Sequence, residues 1–85
     1  MDNQHKKIKG YRDLSQAEID LMNRIKAHAE ETRALVDAVR DDNLANFSAR
    51  GTDPNESGRW AAIASTHLQQ GFMALTRAVA QPTTY

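Results

Sequence analysis

Residues His5 to Arg12, HKKIKGYR, gather three lysines and an arginine around one glycine and one tyrosine, in an 85-residue chain whose formal net charge is zero. These residue types suit a phosphorylated aromatic ligand. Ammonium and guanidinium groups pair with phosphate oxygens, and a tyrosine ring offers a flat face for a base, worth about 1–3 kcal/mol per base. Gly10 permits a sharp turn or a close approach of backbone to ligand. A helix start follows within a few residues, and helix N-termini attract anions. Lys7, Gly10, Tyr11 and Arg12 together point to a nucleotide. The plain alternative, a solubilising basic arm, has at least equal claim on composition alone.

The charge distribution narrows the ligand. Residues 1–12 carry four basic residues against one acidic, a net +3, whereas residues 13–58 carry five against ten, a net −5. A protein that coats long nucleic acid is usually basic over a whole face. A local patch suits a small anion, so no long nucleic acid is expected as a partner.

Catalysis finds little support. No serine or threonine stands beside a base with an orienting third group, and no glycine-rich phosphate loop follows a strand, so the chain is not expected to be an enzyme. His5, His28 and His67 are the only histidines and there is no cysteine. A zinc site would need His28 and His67 to meet across the fold without thiolate or HxxxH support, and seam histidines are more often hydrogen-bonded structural residues. Spacing alone leaves open whether these two line a pocket or a subunit seam. Glu30-Glu31 and Asp41-Asp42 read as solvated helix surface, and Met22 and Met73 as part of the apolar helix faces. No metal or cofactor is expected.

The elements that must position the basic arm are helices. Ser15-Gln16-Ala17-Glu18 fits a capping box, in which serine hydroxyl and glutamate carboxylate satisfy free N–H groups at a helix start, with Leu14 able to staple onto Ile19. From there to about residue 45 there is no proline or glycine. Leu21, Ile25, His28, Thr32, Leu35 and Val39 alternate at spacings of four and three, the period of a helix packed along another, and Met22, Ala29 and Val36 widen the stripe. Turn residues dominate 46–56, and a second helix is predicted to start near Pro54 to Ser57, with its body over 57–81. One of its faces carries Trp60, Ala64, Leu68, Phe72, Leu75 and Val79. A second stripe of Ile63, His67, Gly71, Ala74 and Ala78 ends in small residues that allow close helix approach.

The predicted architecture is therefore all-α, a single domain over 1–85 with a basic arm (1–14) and a long antiparallel αα-hairpin. Helices of about 30 and 24 residues span about 45 and 36 Å. Two helices can bury only one stripe of each other, so a second apolar face is left for further chains and a homo-oligomeric helical bundle is expected. No apolar run reaches the length of a membrane span and no signal-peptide core is present, so no membrane partner is expected and a cytosolic location is the default.

Two stretches, KKIKGYRDLSQAEIDLMNRIK and RWAAIASTHLQQGFMALTRAVAQP, resemble the phage-encoded sponge proteins that counter cyclic-oligonucleotide-based anti-phage signalling (CBASS) by sequestering the bacterial messenger. The resemblance implies a short N-terminal helix before two long antiparallel helices, assembly as a hexamer, and binding without cleavage in the cytoplasm of the infected bacterial host. It implies that cyclic dinucleotides of the cGAMP type are held between N-terminal parts of paired protomers, with Tyr11 stacking on a base and Lys26 pairing with phosphate. Cyclic trinucleotides would use a separate pocket at the threefold axis, for which Thr76 and Arg77 are the candidates. The competing reading is an oligomeric helical interaction or nucleic-acid-binding module with a basic arm.

Overall fold

The computed structural model describes residues 13–82. Among these residues there are two helices, α1 (Gln16–Arg50) and α2 (Pro54–Ala80), joined by three residues into an antiparallel hairpin, and the expected N-terminal arm or short helix before residue 13 lies outside them. Helix α1 begins where the capping box predicts. The Ser15 hydroxyl accepts from the Glu18 amide at 3.2 Å, and the Glu18 carboxylate accepts from the Ser15 amide at 2.9 Å.

The connection is shorter than the expected 46–56 loop, and two local causes account for it. Apolar periodicity fades after Leu44, but Asp42, Asn46 and Arg50 lie on one helical row and satisfy one another. Asn46 donates to the Asp42 backbone carbonyl at 3.0 Å and to its carboxylate at 3.1 Å, and Arg50 makes a bidentate pair with the same carboxylate. That polar staple carries α1 to Arg50. On the other side the Asp53 carboxylate caps the Asn55 amide at 2.9 Å with Pro54 at the first helical position, a good start because proline lacks an N–H that would otherwise be orphaned. Helix α2 therefore begins at Pro54, the early edge of the expected Pro54–Ser57 start, and it ends at Ala80, beside the expected boundary of 81.

The helices meet along a row one position away from the predicted stripe. On α1 the half-buried side chains include Met22, Ile25, Ala29, Thr32, Val36 and Asn43, alternating at four and three with one position skipped. Ile25 and Thr32 belong to the predicted seam. Leu35 lies off this row and is 64% exposed, and Val39, at the skipped position, is 46% exposed. The facing row of α2 includes Ala61, Ser65, Phe72, Thr76 and Val79, so the predicted Trp60–Leu75 face is turned outward apart from Phe72 and Val79. Both rows have the same period, so hydropathy could not choose between them. Small residues at Ala29, Thr32, Ala61 and Ser65 let the backbones approach, Met22, Ile25, Val36 and Phe72 fill the contact, and Leu35, Trp60, Met73 and Leu75 are left outside.

No described residue is fully buried. The radius of gyration is 18.3 Å, against about 12 Å for a compact chain of this length, and the extents are 58 × 23 × 16 Å. Among the described residues no helix is long and apolar enough to cross a membrane.

The turn rests on Gly51, which closes α1 in the left-handed region at φ 70° with its N–H bonded to the Phe47 carbonyl. A Cβ placed there would meet nothing within 4 Å, so the cost of a side chain is backbone strain alone. Gly51→Ala is expected to lower unfolding free energy by about 1–2 kcal/mol with no change in helix content, and Gly51→Asn by less, read by urea titration at one fixed chain concentration.

Candidate functional site

With no interior, a site must lie in the cleft between the helices or at an end. Along one side of the hairpin runs an open groove of about 620 Å³. Its floor is Ala29, Val36, Leu68 and Phe72, with Thr32, Ser65 and Gln69 offering hydrogen-bonding groups. Its α1 wall is charged: Lys26, Arg33 and Arg40 recur every seven residues, with Glu30 and Asp37 between them. Seven residues are close to two helical turns, so each set falls in a line about 10 Å apart. Among the described residues none of these five charges has an ion-pair partner. A smaller depression of about 190 Å³ continues the same side toward the turn, between Arg40, Leu44 and Gly58.

Lys26 thus stands on the groove wall, about 16 Å along α1 from the Ser15 cap. Thr76 is half-buried on the side of α2 that faces α1, and Arg77 is exposed in the last turn, where a cation complements the helix dipole. The turn is centred on Thr52, so residues equidistant from it stand level, and Thr76 and Arg77 lie within about one turn of Lys26 along the hairpin. They share its end of the molecule but do not line its groove. Tyr11, Lys7, Gly10 and Arg12 lie outside the described residues, and the chain reaches Asp13 at that same end.

His28 and His67 do not meet. Counting outward from Thr52 separates them by about 13 Å along the axis, and the His28 ring instead lies 3.9 Å from the Glu31 carboxylate at the surface. Among the described residues no group of three histidine, cysteine or acidic side chains could hold a metal ion.

Sequence reasoning missed one cluster at the start of α2. The Glu56 carboxylate accepts from Arg59 at 2.7 Å and from the Trp60 indole N–H at 3.0 Å, while the Arg59 guanidinium lies 4.6 Å from the Trp60 ring centre. The spacing Glu-x-x-Arg-Trp carries the signal, since residues three and four apart on a helix are neighbours. The hydrogen bond from Arg59 holds the Glu56 carboxyl below its ordinary range, with the Trp60 N–H adding to it. Asp42 is lowered likewise by its hydrogen bonds from Arg50 and then Asn46. Both perturbed carboxylates belong to ion pairs away from the Lys26 end of the groove.

Among the described residues the molecule is a small helical hairpin with a charged groove and no fully buried side chain. The sequence profile of the Acb2/Tad1 hairpin domain matches residues 3–80, and the chain belongs to that family. It is 43% identical to Anti-CBASS protein 2 of Pseudomonas phage JBD67, over 96% of this chain and 97% of that protein.

Trp60 is the only tryptophan and reports directly on Glu56. Acid titration of its fluorescence is expected to show a transition below the ordinary glutamate range, because the folded-state carboxylate is stabilised. That stabilisation is present at neutral pH and lost as pH falls through the lowered pKa. Arg59→Gln is expected to move the midpoint upward, and an unmoved midpoint would disconnect Arg59 from Glu56.

Proposed function

We propose that this protein captures cyclic oligonucleotide second messengers stoichiometrically and so blocks the anti-phage signalling they drive, acting in the cytoplasm of the infected bacterium without turning the messenger over. The observation that carries this reading is Lys26, a cation with no ion-pair partner among the described residues, set on the groove wall toward the end at which the segment containing Lys7, Gly10, Tyr11 and Arg12 joins α1. The kinship with Anti-CBASS protein 2 supports the same conclusion, since the name of that relative states the system it opposes.

The chemistry follows from the ligand. A cyclic dinucleotide has two phosphate charges and two base faces in near-twofold arrangement, so a twofold junction of two chains supplies one Tyr11 and one Lys26 to each half. Tyr11 supplies a face for the base, and Lys26 neutralises a phosphate with Lys7 and Arg12 adding to the local positive potential. The placement of Lys26 about 16 Å from the Ser15 cap supports pairing across chains, because the Tyr11 of one protomer and the Lys26 of another can flank one ligand. A homo-oligomer, a hexamer by kinship, is proposed for a second reason: with no described residue fully buried, the hairpin lacks the core that would hold it folded alone. Cyclic trinucleotides are proposed as a second ligand class near Thr76 and Arg77, at the end of α2.

Capture without turnover means that suppression depends on affinity and copy number. Calorimetric titration with a 3′,3′-linked cyclic dinucleotide is expected to saturate at one ligand per two chains, and chromatography is expected to recover the ligand intact. Tyr11→Ala should weaken binding at least tenfold without altering the oligomer. Lys26→Ala should weaken it while also flattening its salt dependence, because a screened charge pair has been removed. Cleavage products in the recovered ligand would overturn the capture mechanism, and binding of duplex DNA in preference to cyclic dinucleotides would favour the nucleic-acid-binding alternative.

A further inference from the structure

Helix α1 contains three asparagines, and asparagine is a weak helix former because its carboxamide competes for the hydrogen bonds of the backbone. The fold accounts for two of them. Asn46 donates to the Asp42 carbonyl and carboxylate, and Asn43 lies in the row that meets α2. Asn23 is exposed, lies off that row, and its carboxamide has no partner among the described residues. It stands one turn from Lys26 on the side toward Ser15, just beyond the end of the groove. Residues three apart on a helix have Cβ atoms about 5–6 Å apart, so an uncommitted carboxamide adjoins the ammonium group assigned to phosphate.

We infer that Asn23 reads the base of the captured ligand and selects adenine: its Oδ1 accepts from the adenine N6 amino group and its Nδ2 donates to N7, while Lys26 holds a phosphate. A carboxamide carries an acceptor and a donor side by side. The N6/N7 edge of adenine offers the complementary pair, whereas guanine shows two acceptors on that edge and a pyrimidine has no N7. The other groups of the site cannot make this distinction. Stacking on Tyr11 accepts any base, because every base has a π-face, and Lys26 meets a phosphate that all such ligands share. The ligand class is thereby narrowed to cyclic dinucleotides that contain adenine. At a twofold junction each chain supplies one Asn23, so a ligand with two adenines engages both copies and a mixed ligand engages one.

This inference rests on the capture of cyclic dinucleotides proposed above, and the test separates the two. The full-length protein and its Asn23→Ala variant are each titrated calorimetrically with 3′,3′-cyclic di-AMP, with the same ring built from 7-deazaadenine, in which a C–H replaces N7, and with 3′,3′-cyclic di-UMP. Alanine is the stronger helix former, so the variant keeps α1, and circular dichroism checks this. Wild type is expected to lose about fivefold or more in affinity when N7 is removed. Asn23→Ala is expected to bind cyclic di-AMP about fivefold or more weakly than wild type, and to bind the two adenine ligands within about twofold of each other, the coupling that marks a direct pair. Cyclic di-UMP has no N7, and its affinity is expected to differ between the two proteins by less than about twofold. A wild-type protein that binds none of the three ligands overturns capture and this inference with it. A wild type that binds but is indifferent to N7, or a variant that keeps the full N7 dependence, leaves capture standing and overturns the role of Asn23. A variant that weakens all three ligands equally, or whose mass by light scattering departs from that of wild type, places Asn23 in a subunit contact and overturns base reading.

Discussion

Two helices cannot enclose anything. Each offers the other one row of side chains, and the remaining three-quarters of its circumference faces outward. In this hairpin the contact row is made largely of small and polar residues, such as Ala29, Thr32, Ala61 and Ser65, while Leu35, Trp60, Met73 and Leu75 remain outside at 50% exposure or more. The internal contact therefore sets direction and spacing more than it supplies burial. Nearly everything else follows, including the dependence on local capping, the open groove and the placement of charge on outward faces.

Local polar interactions take over where burial is missing. The capping box at Ser15 and Glu18, the Asp42–Asn46–Arg50 row and the Asp53 cap each sit where apolar periodicity weakens, and each fixes a helix end or its final turns. Exposed ion pairs of this kind contribute modestly to stability. Their main effect here is positional. By extending α1 to Arg50 and starting α2 at Pro54 they leave only three residues for the reversal, so the two helices keep one fixed register and Lys26 is held at a set distance from the turn.

Much of this was readable in the sequence, and the failures have physical causes. The helix start at Ser15 was legible because a capping box is a local pattern with a local cause. The row of contact was not, because Leu21, His28 and Leu35 share a period with Met22, Ala29 and Val36, and the choice between them depends on how closely α2 can approach. The end of α1 was missed because a row of side chains four apart, Asp42, Asn46 and Arg50, was hidden in a segment that reads as turn. Lys26 was flagged only through family resemblance, since one lysine among many helix charges has no local signature. Its alignment with Arg33 and Arg40 becomes meaningful once the groove is known. The groups of the basic segment, Tyr11 foremost, stand out by residue type alone and lie outside the described residues.

The three-residue reversal has a practical corollary. Because α1 begins and α2 ends toward the same end of a rod 58 Å long, Asp13 and Pro82 lie toward that end, offset by about 13 Å along the axis, and Thr52 stands at the opposite pole. A fluorophore, affinity tag or surface linker attached at Asp13 or Pro82 stands toward the Lys26 end, whereas one inserted beside Thr52 is removed from it by roughly the length of a helix. The hairpin is in that sense a polarised handle, and a reagent or biosensor built on it should be anchored by its bend.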